Sequence, residues 1–499
     1  MNHISNISIS VVIVVILLLI GICNPSHAQV NQKSKYEKEF LEFQKSAADN
    51  FTSFLDKNDS TFLQFLETTW KDFNTFKEQS RKRIKPLEQP VFNSGQVKSD
   101  VSPNKRMLQE HPGNKTFENI KPDNPGDELE RKPTNGREII GNQNGFNYYG
   151  QWIDLQAAND LPGVSSIYAS AIINYYKAYC ANRSLVQAGS EIGKAADDLI
   201  LNDWGYLYLL INASAQLYPL MNDRVLFVWM TLMKNEFDVR VGHDLKNIYL
   251  LVNFDGRVFN KQYANISERK YYIYAFPGQS EPTGIIRSYD AIYSNKARPV
   301  SISLEHIPLL GDKTIIRKIQ VDNDVHPVAL NLSLINYMND YPDCELEVYF
   351  RTPMSDKVIN SLDKILLPGL SGKSEQEKAA MLLSFVQNSI PYKIDEQQFG
   401  FENYLFADET LYYPFADCED RAILLAKLVE RYTGLGTIGL DYTDHVSLGI
   451  KLINMSEGDY VLFMEERYYI CDPTYLGAEM GVAMDFMKTE TPKIITRNH

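Results

Sequence analysis

The sequence predicts an α+β fold, in which helices and antiparallel strands occupy separate stretches of the chain. Within 374–434, apolar residues recur in two segments at the spacing of a buried helix face. From 445 to 473 they alternate with polar residues, as in half-buried strands. Three more alternating series predict strands between 295 and 352: Val300, Ile302 and Leu304; Val328, Leu330, Leu332 and Leu334; Leu346, Val348 and Phe350.

The composition is that of an ordinary globular protein and argues against several classes. The chain has 499 residues and a net charge of −13, with 44% hydrophobic and 23% charged residues. At about 150 residues per domain, this length predicts about three domains. An acidic chain argues against nucleic acid as a partner and against a polybasic membrane-surface protein. Five cysteines in 499 residues exclude a disulfide-stapled scaffold.

Residues 1–28 are typical of a secretory signal peptide. Residues 11–22 are almost wholly apolar but too few to span a bilayer, and Ser26 and Ala28 are small residues before the expected cut. We therefore expect a secreted or periplasmic protein, in which disulfides would be permitted but their pairing stays open. A lipid anchor at Cys23 is the less favoured alternative, because a bulky residue precedes that cysteine.

Residues 29–85 are predicted to form a long amphipathic helix. Within 38–81, four consecutive 11-residue units carry the motif F-x-x-F. Eleven residues make three helical turns, so the phenylalanines would share one face. This face could pack on the protein's own domains, on a second copy or on another protein, whereas the low net charge of the units disfavours membrane contact. The pairs are Phe40 and Phe43, Phe51 and Phe54, Phe62 and Phe65, and Phe73 and Phe76.

Residues 86–145 are predicted to be a linker. Prolines recur there among polar residues, with Phe92 and Phe117 as the only aromatic residues. Such a stretch buries too little apolar surface to offset the entropy lost on ordering, although parts of it could lie along the folded domains.

Cys418 lies where a buried helix is predicted to begin. The helix before it opens with a capping box formed by Ser374 and Glu377. In the later helix, Asp417 is the predicted N-cap and Cys418 falls in the first turn. A helix N-terminus favours the thiolate, whereas the acidic neighbours disfavour it. A reactive thiol at this position therefore needs a positive partner, such as an imidazolium.

His445 and Asp472 can supply that partner and its support. His445 begins an alternating strand, on the face opposite the apolar residues, and Asp472 ends a second strand. The order of a cysteine at a helix start, a histidine on a strand and an aspartate at a strand end fits thiol acyl transfer. In that chemistry Cys418 is the nucleophile, His445 is the base, and the carboxylate fixes the histidine tautomer.

The sequence predicts no metal and no cofactor. We interpret Glu419 and Asp420 as the solvated start of a helix rather than as a calcium site. The eight histidines include no pair at the i, i+4 spacing of a zinc-binding helix. Thiol acyl transfer needs neither a metal nor an organic cofactor.

Several of these segments together resemble the transglutaminase-like superfamily of cysteine enzymes. Residues 417–422 are Asp-Cys-Glu-Asp-Arg-Ala, and the later histidine strand is followed by Asp472 and Pro473. The end of the preceding helix, at 385–392, also looks like that family's approach to its site. The resemblance covers about residues 355–480.

The resemblance implies a papain-like α+β catalytic domain at residues 353–488, followed by a tail at 489–499. It implies Cys418 as nucleophile, His445 as base and Asp472 as the residue that orients the base. The backbone N–H of the cysteine would hold part of the oxyanion. The tryptophan that supplies a side-chain donor in some members has no counterpart, because all four tryptophans lie far upstream.

Residues 146–276 are predicted to be a degenerate copy of the same domain, with an antiparallel β domain at 277–352 between the two. Met221, Asn247 and Ala275 would replace nucleophile, base and acid, so this copy could bind substrate or shape the cleft but not react. Chance similarity of two helix-plus-strand segments is the alternative. The matching segments are 221–226 with 418–423, 247–250 with 445–448, and 271–276 with 468–473.

These observations lead to two functional hypotheses. The first is an exported transglutaminase-like acyl transferase or hydrolase, of the protease or amidase type, which acts on a peptide or protein substrate. The second is a binding or assembly protein that keeps the fold without catalysis.

Overall fold

The computed structural model describes residues 70–79, 89–92, 145–155, 160–289, 296–453 and 455–496, and these contain both helices and strands, as an α+β fold requires. None of the described helices combines the length and the apolar character needed to cross a bilayer. The α-helices of the described residues are α1 (Ala169–Ala181), α2 (Arg183–Asp198), α3 (Asp203–Leu217), α4 (Met221–Lys234), α5 (Leu332–Asn339), α6 (Leu346–Arg351), α7 (Asp356–Leu370), α8 (Glu375–Ser389), α9 (Asp395–Gln398), α10 (Ala407–Tyr412) and α11 (Cys418–Thr433).

The strands fall into four sheets among the described residues. A 3₁₀ helix at Asp485–Lys488 precedes the last strand. The strands are β1 (Trp70–Lys77), β2 (Gly145–Tyr148), β3 (Gln151–Asp154), β4 (Val239–His243), β5 (Ile248–Val252), β6 (Gln262–Ile266), β7 (Arg269–Tyr274), β8 (Ile285–Tyr289), β9 (Thr314–Val321), β10 (Asp324–Asn331), β11 (Thr437–Asp441), β12 (Val446–Ile450), β13 (Tyr460–Phe463), β14 (Glu466–Cys471) and β15 (Lys493–Ile495).

Two modules each pack a pair of helices against an antiparallel sheet. In the N-terminal module, α3 packs on α4, and α4 packs on a sheet with the strand order β6-β7-β5-β4-β8. In the C-terminal module, α8 packs on α11, and α11 packs on a sheet with the order β13-β14-β12-β11-β15. Each helix and strand of one module therefore has a counterpart in the other.

The two modules also share the register of their strand pairs. The segments that match in the sequence fall on equivalent elements, since α4 begins at Met221 and α11 begins at Cys418. Because a shift of one residue would turn every side chain to the other face, the shared register puts equivalent residues on equivalent faces. The equivalent pairs are Val239–Val252 and Thr437–Ile450, Leu250–Tyr274 and Leu448–Cys471, and Tyr263–Tyr272 and Tyr460–Tyr469.

The two predicted helix starts around the site are confirmed. The Ser374 side chain accepts from the Glu377 N–H while the Glu377 carboxylate accepts from the Ser374 N–H. Asp417 is the N-cap of α11, and the following residues up to Val429 are all buried. The helix ends at Gly434, whose φ of 71° places it in the left-handed region that glycine tolerates best. A helix buried on every side is thus held at both ends.

The predicted helix at 29–85 is wrong where the structure can test it. The fourth F-x-x-F unit forms β1, which pairs with both β6 and β8 and closes the N-terminal sheet into a barrel. A spacing of three puts two strand residues on opposite faces, so Phe73 packs against the barrel core whereas Phe76 is 49% exposed. Hydrogen bonding to the edges of β6 and β8 thus stabilises a strand here, although the spacing of the phenylalanines is that of a helix. The earlier three units lie outside the described residues.

The predicted β domain at 277–352 is only partly correct. β8 belongs to the barrel, and β9 and β10 form a separate two-stranded sheet. Two of the alternating series run into helices instead, because Leu332 begins α5 and Leu346 begins α6. Asn331 ends the alternation by accepting the Ser333 N–H as a helix cap. Short apolar series that are buried on several sides fit a strand and a helix equally well.

The predicted tail and the predicted linker both contain ordered contacts. The tail at 489–499 contains β15, which pairs with β11 and extends the C-terminal sheet, so that boundary is wrong. In the linker at 86–145, most residues lie outside the described part of the chain. The Phe92 N–H donates to the Leu476 carbonyl at 2.9 Å, and its ring lies 5.6 Å from that of Tyr475. This part of the linker lies along the folded C-terminal module.

Replacement of the glycine that ends α11 tests how that helix is held. We expect Gly434→Ala to lower the free energy of unfolding by about 1 kcal/mol, because alanine resists a positive φ. The control is Gly436→Ala, at a position without a positive φ and with space for a methyl group. Urea unfolding of both variants measures the difference, and equal effects would show that the backbone angle at Gly434 does not matter.

Candidate active site

Cys418 lies at the buried N-terminus of α11. Its side chain is 3% exposed, and the Asp417 N–H donates to the Asp420 carboxylate at 3.4 Å. The first N–H groups of a helix lack partners within the helix, so they offer hydrogen bonds to a thiolate or to an oxyanion. The structure therefore puts this cysteine where the sequence predicted it.

His445 and Asp472 are brought together at one end of the C-terminal sheet. His445 directly precedes β12 and Asp472 directly follows β14, and these strands are paired neighbours. The imidazole Nε2 lies 2.7 Å from Asp472 Oδ2, and neither side chain has exposed surface. The other carboxylate oxygen accepts from the Thr474 N–H at 2.8 Å and from the Tyr475 N–H at 3.3 Å. The carboxylate is thus fixed by its own loop and in turn fixes the imidazole.

The Cys418 sulfur lies beside the His445–Asp472 pair, but the thiol donates its hydrogen bond to a different group. The Val446 N–H, directly after His445, donates to Cys418 Sγ at 3.4 Å. The thiol itself donates to Glu419 Oε2 at 2.8 Å. His445 Nδ1 has no hydrogen-bond partner within the described part of the chain. Nδ1 is therefore the imidazole nitrogen that is not engaged by Asp472, while the thiol proton points to a carboxylate.

Glu419 and Asp420 are not the solvated helix start that we expected. Both residues have 0% exposure, and Asp420 Oδ1 accepts from the Leu405 N–H at 2.8 Å. The segment before α10 covers this end of α11, which the local sequence does not reveal. Desolvation, reinforced by Asp417 and Glu419, raises the pKa of Asp420 well above its usual value.

A cluster of acidic side chains surrounds the start of the helix. Single oxygens of Asp395, Asp417 and Asp420 lie within 4.8 Å of one another, and those of Asp395, Glu402 and Glu419 do the same. Burial and the neighbouring carboxylates raise the pKa of Asp395 well above its usual value. Carboxylate oxygens are the ligand type that hard cations prefer, so these residues are the ones that could hold a metal ion here.

Two further buried residues, missed in the sequence, position the site. The Arg421 guanidinium donates to the carbonyls of Pro473 at 3.0 Å, Gln387 at 3.3 Å and Ile390. The Gln387 side chain donates to the carbonyls of Asp472, Tyr475 and Ala478, each at 3.0 Å. Burial lowers the pKa of Arg421 to about 10, so it stays charged at neutral pH. A charged residue on the buried face of a predicted helix was the available signal.

No disulfide joins the four described cysteines. Cys344 and Cys471 are fully buried, and desolvation raises the pKa of both well above the usual range of a thiol. Burial at these positions suppresses thiolate formation. Cys180 is only half-buried and lies on α1, in a different part of the fold from the sheet that carries the site.

The N-terminal module has no reactive group at the equivalent positions. Met221 begins α4, Asn247 precedes β5 and Ala275 follows β7. The Ile248 N–H, which corresponds to that of Val446, donates to Asn222 Oδ1 at 2.9 Å instead of to a sulfur. This module retains the framework of the site without its thiol, imidazole and carboxylate.

Removal of the buried Arg421 guanidinium should lower the free energy of unfolding more than removal of a partly exposed guanidinium. We expect Arg421→Met to lower the free energy of unfolding by about 3 kcal/mol, because buried carbonyls lose their donors. The control is Arg431→Met, whose ion pair with Asp363 is partly exposed and contributes about 0.5 kcal/mol. Urea unfolding measures both changes. Similar losses for the two variants would contradict the positioning role of Arg421.

The raised pKa of Asp395 predicts the sign of a pH effect. Its folded-state pKa exceeds the unfolded value, so its contribution to stability is complete below about pH 4 and is lost as the pH rises through the folded-state pKa. Above pH 4, the free energy of unfolding should therefore fall less in Asp395→Asn than in the unmodified protein. Urea unfolding as a function of pH, with a chelator in the buffer, measures this difference.

Asp363→Asn is the control of opposite sign. The hydrogen bond from Arg431 lowers the pKa of Asp363, so this carboxylate stabilises the fold above its unfolded pKa and loses that effect as the pH falls. A parallel pH dependence in the two variants would contradict the assignment for Asp395.

No protein-family model matches this chain, and no curated protein and no solved structure matches it either. The residues and their geometry are therefore the basis on which a function is argued.

Proposed function

We propose that this protein is a thiol-dependent acyl transferase or hydrolase that acts on peptide amides. Cys418 is the nucleophile, His445 the general base and Asp472 the residue that orients the base. The observation that carries the proposal is the fully buried hydrogen bond of 2.7 Å between His445 and Asp472, next to a thiol at a helix N-terminus. A thiol, an imidazole and a carboxylate that orients the imidazole are the three groups that thiol acyl transfer requires.

The hydrogen bonds assign a role to each imidazole nitrogen. Since Nε2 is bonded to the Asp472 carboxylate, Nδ1 is the atom that accepts a proton. The thiol turns from Glu419 to Nδ1 and transfers its proton there. The imidazolium then stabilises the thiolate, and the carboxylate stabilises the imidazolium.

The reaction follows from this ion pair. The thiolate attacks the amide carbonyl carbon, and the backbone N–H of Cys418 donates to the oxyanion that forms. When the C–N bond breaks, Nδ1–H gives its proton to the leaving amine, and the acyl group remains on sulfur as a thioester. Water or a second amine then loses a proton to Nδ1 and attacks the thioester. The thiolate leaves and regains the proton, which restores the enzyme.

The transglutaminase-like superfamily is the family that we propose for the C-terminal module. Support comes from the Asp-Cys-Glu-Asp-Arg-Ala segment and from its place at the start of a buried helix. The order of helix, histidine strand and aspartate strand, within a mixed helix-and-sheet fold, supports it further. We also propose export to the periplasm or outside the cell, on the strength of the apolar segment at 11–22 and the small residues after it.

A non-catalytic binding role is the second candidate, and burial of the site favours it. Cys418, His445 and Asp472 are 3%, 0% and 1% exposed, so the site is closed to a substrate as it stands. The hydrogen bond from the thiol to Glu419 holds the sulfur in its protonated form. In a binding protein these groups would only stabilise the fold.

Thiol labelling across pH separates the two functions. We expect an alkylating reagent to modify Cys418 about tenfold faster than half-buried Cys180 at pH 6, because a thiolate–imidazolium pair reacts below the usual pKa of a thiol. His445→Ala should abolish this advantage and leave Cys180 unchanged. Mass spectrometry of peptides gives both rates, and Cys418→Ala identifies the signal. A Cys418 rate that follows the pH profile of Cys180 in both proteins would favour the binding role.

A further inference from the structure

The oxyanion of the proposed reaction would form in an acidic corner of the molecule. The carboxylates of Asp417, Glu419 and Asp420 are buried around the start of α11, where the nucleophile lies. Any of them that is ionised opposes a second negative charge on the substrate oxygen. The backbone N–H of Cys418 is one donor to that oxygen, and a second donor would therefore stabilise the transition state strongly.

Three amide or guanidinium side chains near this corner donate to backbone carbonyls. Gln387 donates to the loop after β14, and the Arg421 guanidinium bridges that loop and the end of α8. The Gln398 amide donates to the Phe415 carbonyl at 3.1 Å. If one of these groups turned to a substrate, a carbonyl would lose its hydrogen bond. The second donor is therefore a side chain of another type.

Tyr392 lies beside the segment that leads into the nucleophile. It forms an isolated parallel bridge with Ala416, which is two residues before Cys418. The Ala416 N–H donates to the Pro391 carbonyl at 3.0 Å. The Lys393 N–H donates to the Ala416 carbonyl at 3.3 Å. The backbone on both sides of the tyrosine is thus tied to the start of α11.

The ring of Tyr392 packs near the first turn of that helix. The centre of the ring lies 5.5 Å from Cζ of Arg421, which is three residues after Cys418. Because residues three apart on a helix are neighbours on its surface, the ring lies on the side of α11 that carries the thiol. Tyr392 is only half-buried, so it also meets the solvent from which a substrate arrives.

The surroundings of Tyr392 keep its hydroxyl group protonated. Burial raises the pKa of Tyr392, and the negative charges of Cys418 and Asp417 raise it further. The phenol therefore retains its proton at any pH at which a thiolate–imidazolium pair forms. A neutral phenol is a hydrogen-bond donor, whereas an ionised carboxylate can only accept.

We propose that the Tyr392 hydroxyl is the side-chain donor to the oxyanion, a role that rests on the proposed acyl-transfer function. When the thiolate attacks, the C–S bond forms and the carbonyl π electrons move to oxygen. This oxygen accepts hydrogen bonds from the Cys418 N–H and the Tyr392 O–H. The C=O bond then re-forms as the bond to the leaving group breaks. The phenol proton stays on Tyr392 throughout, so this catalytic residue stabilises charge and transfers no proton.

Acetylation and alkylation of the full-length protein test this role separately. With p-nitrophenyl acetate, the thiolate gains the acetyl group through an oxyanion, and p-nitrophenolate leaves. With iodoacetamide, the thiolate displaces iodide at a saturated carbon, so no oxyanion forms. We expect Tyr392→Phe to acetylate Cys418 about 100-fold more slowly than the unmodified protein, and to be alkylated there within about twofold of its rate. Mass spectrometry of the Cys418 peptide gives both rates.

The matched control is Tyr432→Phe. Tyr432 lies near the other end of α11, and its hydroxyl donates to Asp363 Oδ1 at 2.8 Å. This variant loses a phenol from the same helix without a change at the site, so both rates at Cys418 should match those of the unmodified protein.

Two results would overturn the role of Tyr392. One is an acetylation rate of Cys418 in Tyr392→Phe that equals the rate in the unmodified protein. The other is a parallel fall of acetylation and alkylation, because the tyrosine would then support the thiol or the fold. Failure of the proposed function gives a different result, in which Cys418 of the unmodified protein is not acetylated or His445→Ala is acetylated equally fast. The oxyanion role would then be excluded as well.

Discussion

The hydrogen bonds of the buried Arg421 side chain hold the C-terminal module together at its candidate site. The guanidinium lies on α11 and reaches carbonyls of α8, of the segment after α8, and of the loop that follows β14. A buried cation is tolerated when hydrogen bonds compensate for the lost solvent, and here both terminal nitrogens of the guanidinium donate to carbonyls. Because Asp472 lies in the same loop, its distance from the start of α11 is set by this interaction. The contact between Asp472 and His445 depends on it in turn.

Charge is the second constraint on the site. Four buried carboxylates, Asp395, Asp417, Glu419 and Asp420, lie around the start of one helix. These carboxylates are almost wholly buried, so each negative charge there is destabilised by the others and by the loss of solvent. Raised pKa values at Asp395 and Asp420 are the consequence. The hydrogen bond from the Cys418 thiol to Glu419 fits the same environment. A proton that stays on the thiol keeps the net negative charge of this cluster lower.

The two modules show that one framework supports different interiors. Their strand orders and registers agree, yet the N-terminal sheet is closed by β1 and the C-terminal sheet is not. Inside the barrel, Arg240 stands where the C-terminal module has Ile438, and its guanidinium lies 4.6 Å from the Tyr271 ring. The backbone hydrogen bonds of the sheet do not depend on these side chains, which is why two modules with the same strand order can carry different side chains at equivalent positions.

Local sequence was sufficient for the helix starts and for the residues of the candidate site. Ser374, Glu377 and Asp417 act within one helical turn, so their pattern predicts the caps directly. Cys418, His445 and Asp472 could be proposed because helix and strand periods place them at the ends of elements. The partners of their atoms could not be predicted. No pattern in the neighbouring sequence indicates that the thiol donates a hydrogen bond to Glu419 or that Asp420 is buried.

The F-x-x-F repeat marks the limit of such reasoning. Its period of 11 residues is compatible with a helix, but the conformation of Phe73 and Phe76 was decided by two open strand edges that lie about 200 residues further along the chain. In the same way, Leu332 and Leu346 alternate with polar neighbours and yet lie in helices, because burial from several sides removes the difference between the two periods. The sequence by itself determined the caps, the order of α8, α11, β12 and β14, and which residues could meet. Tertiary structure decided the edges, the buried charges and the direction of each hydrogen bond, because these depend on groups that are distant along the chain.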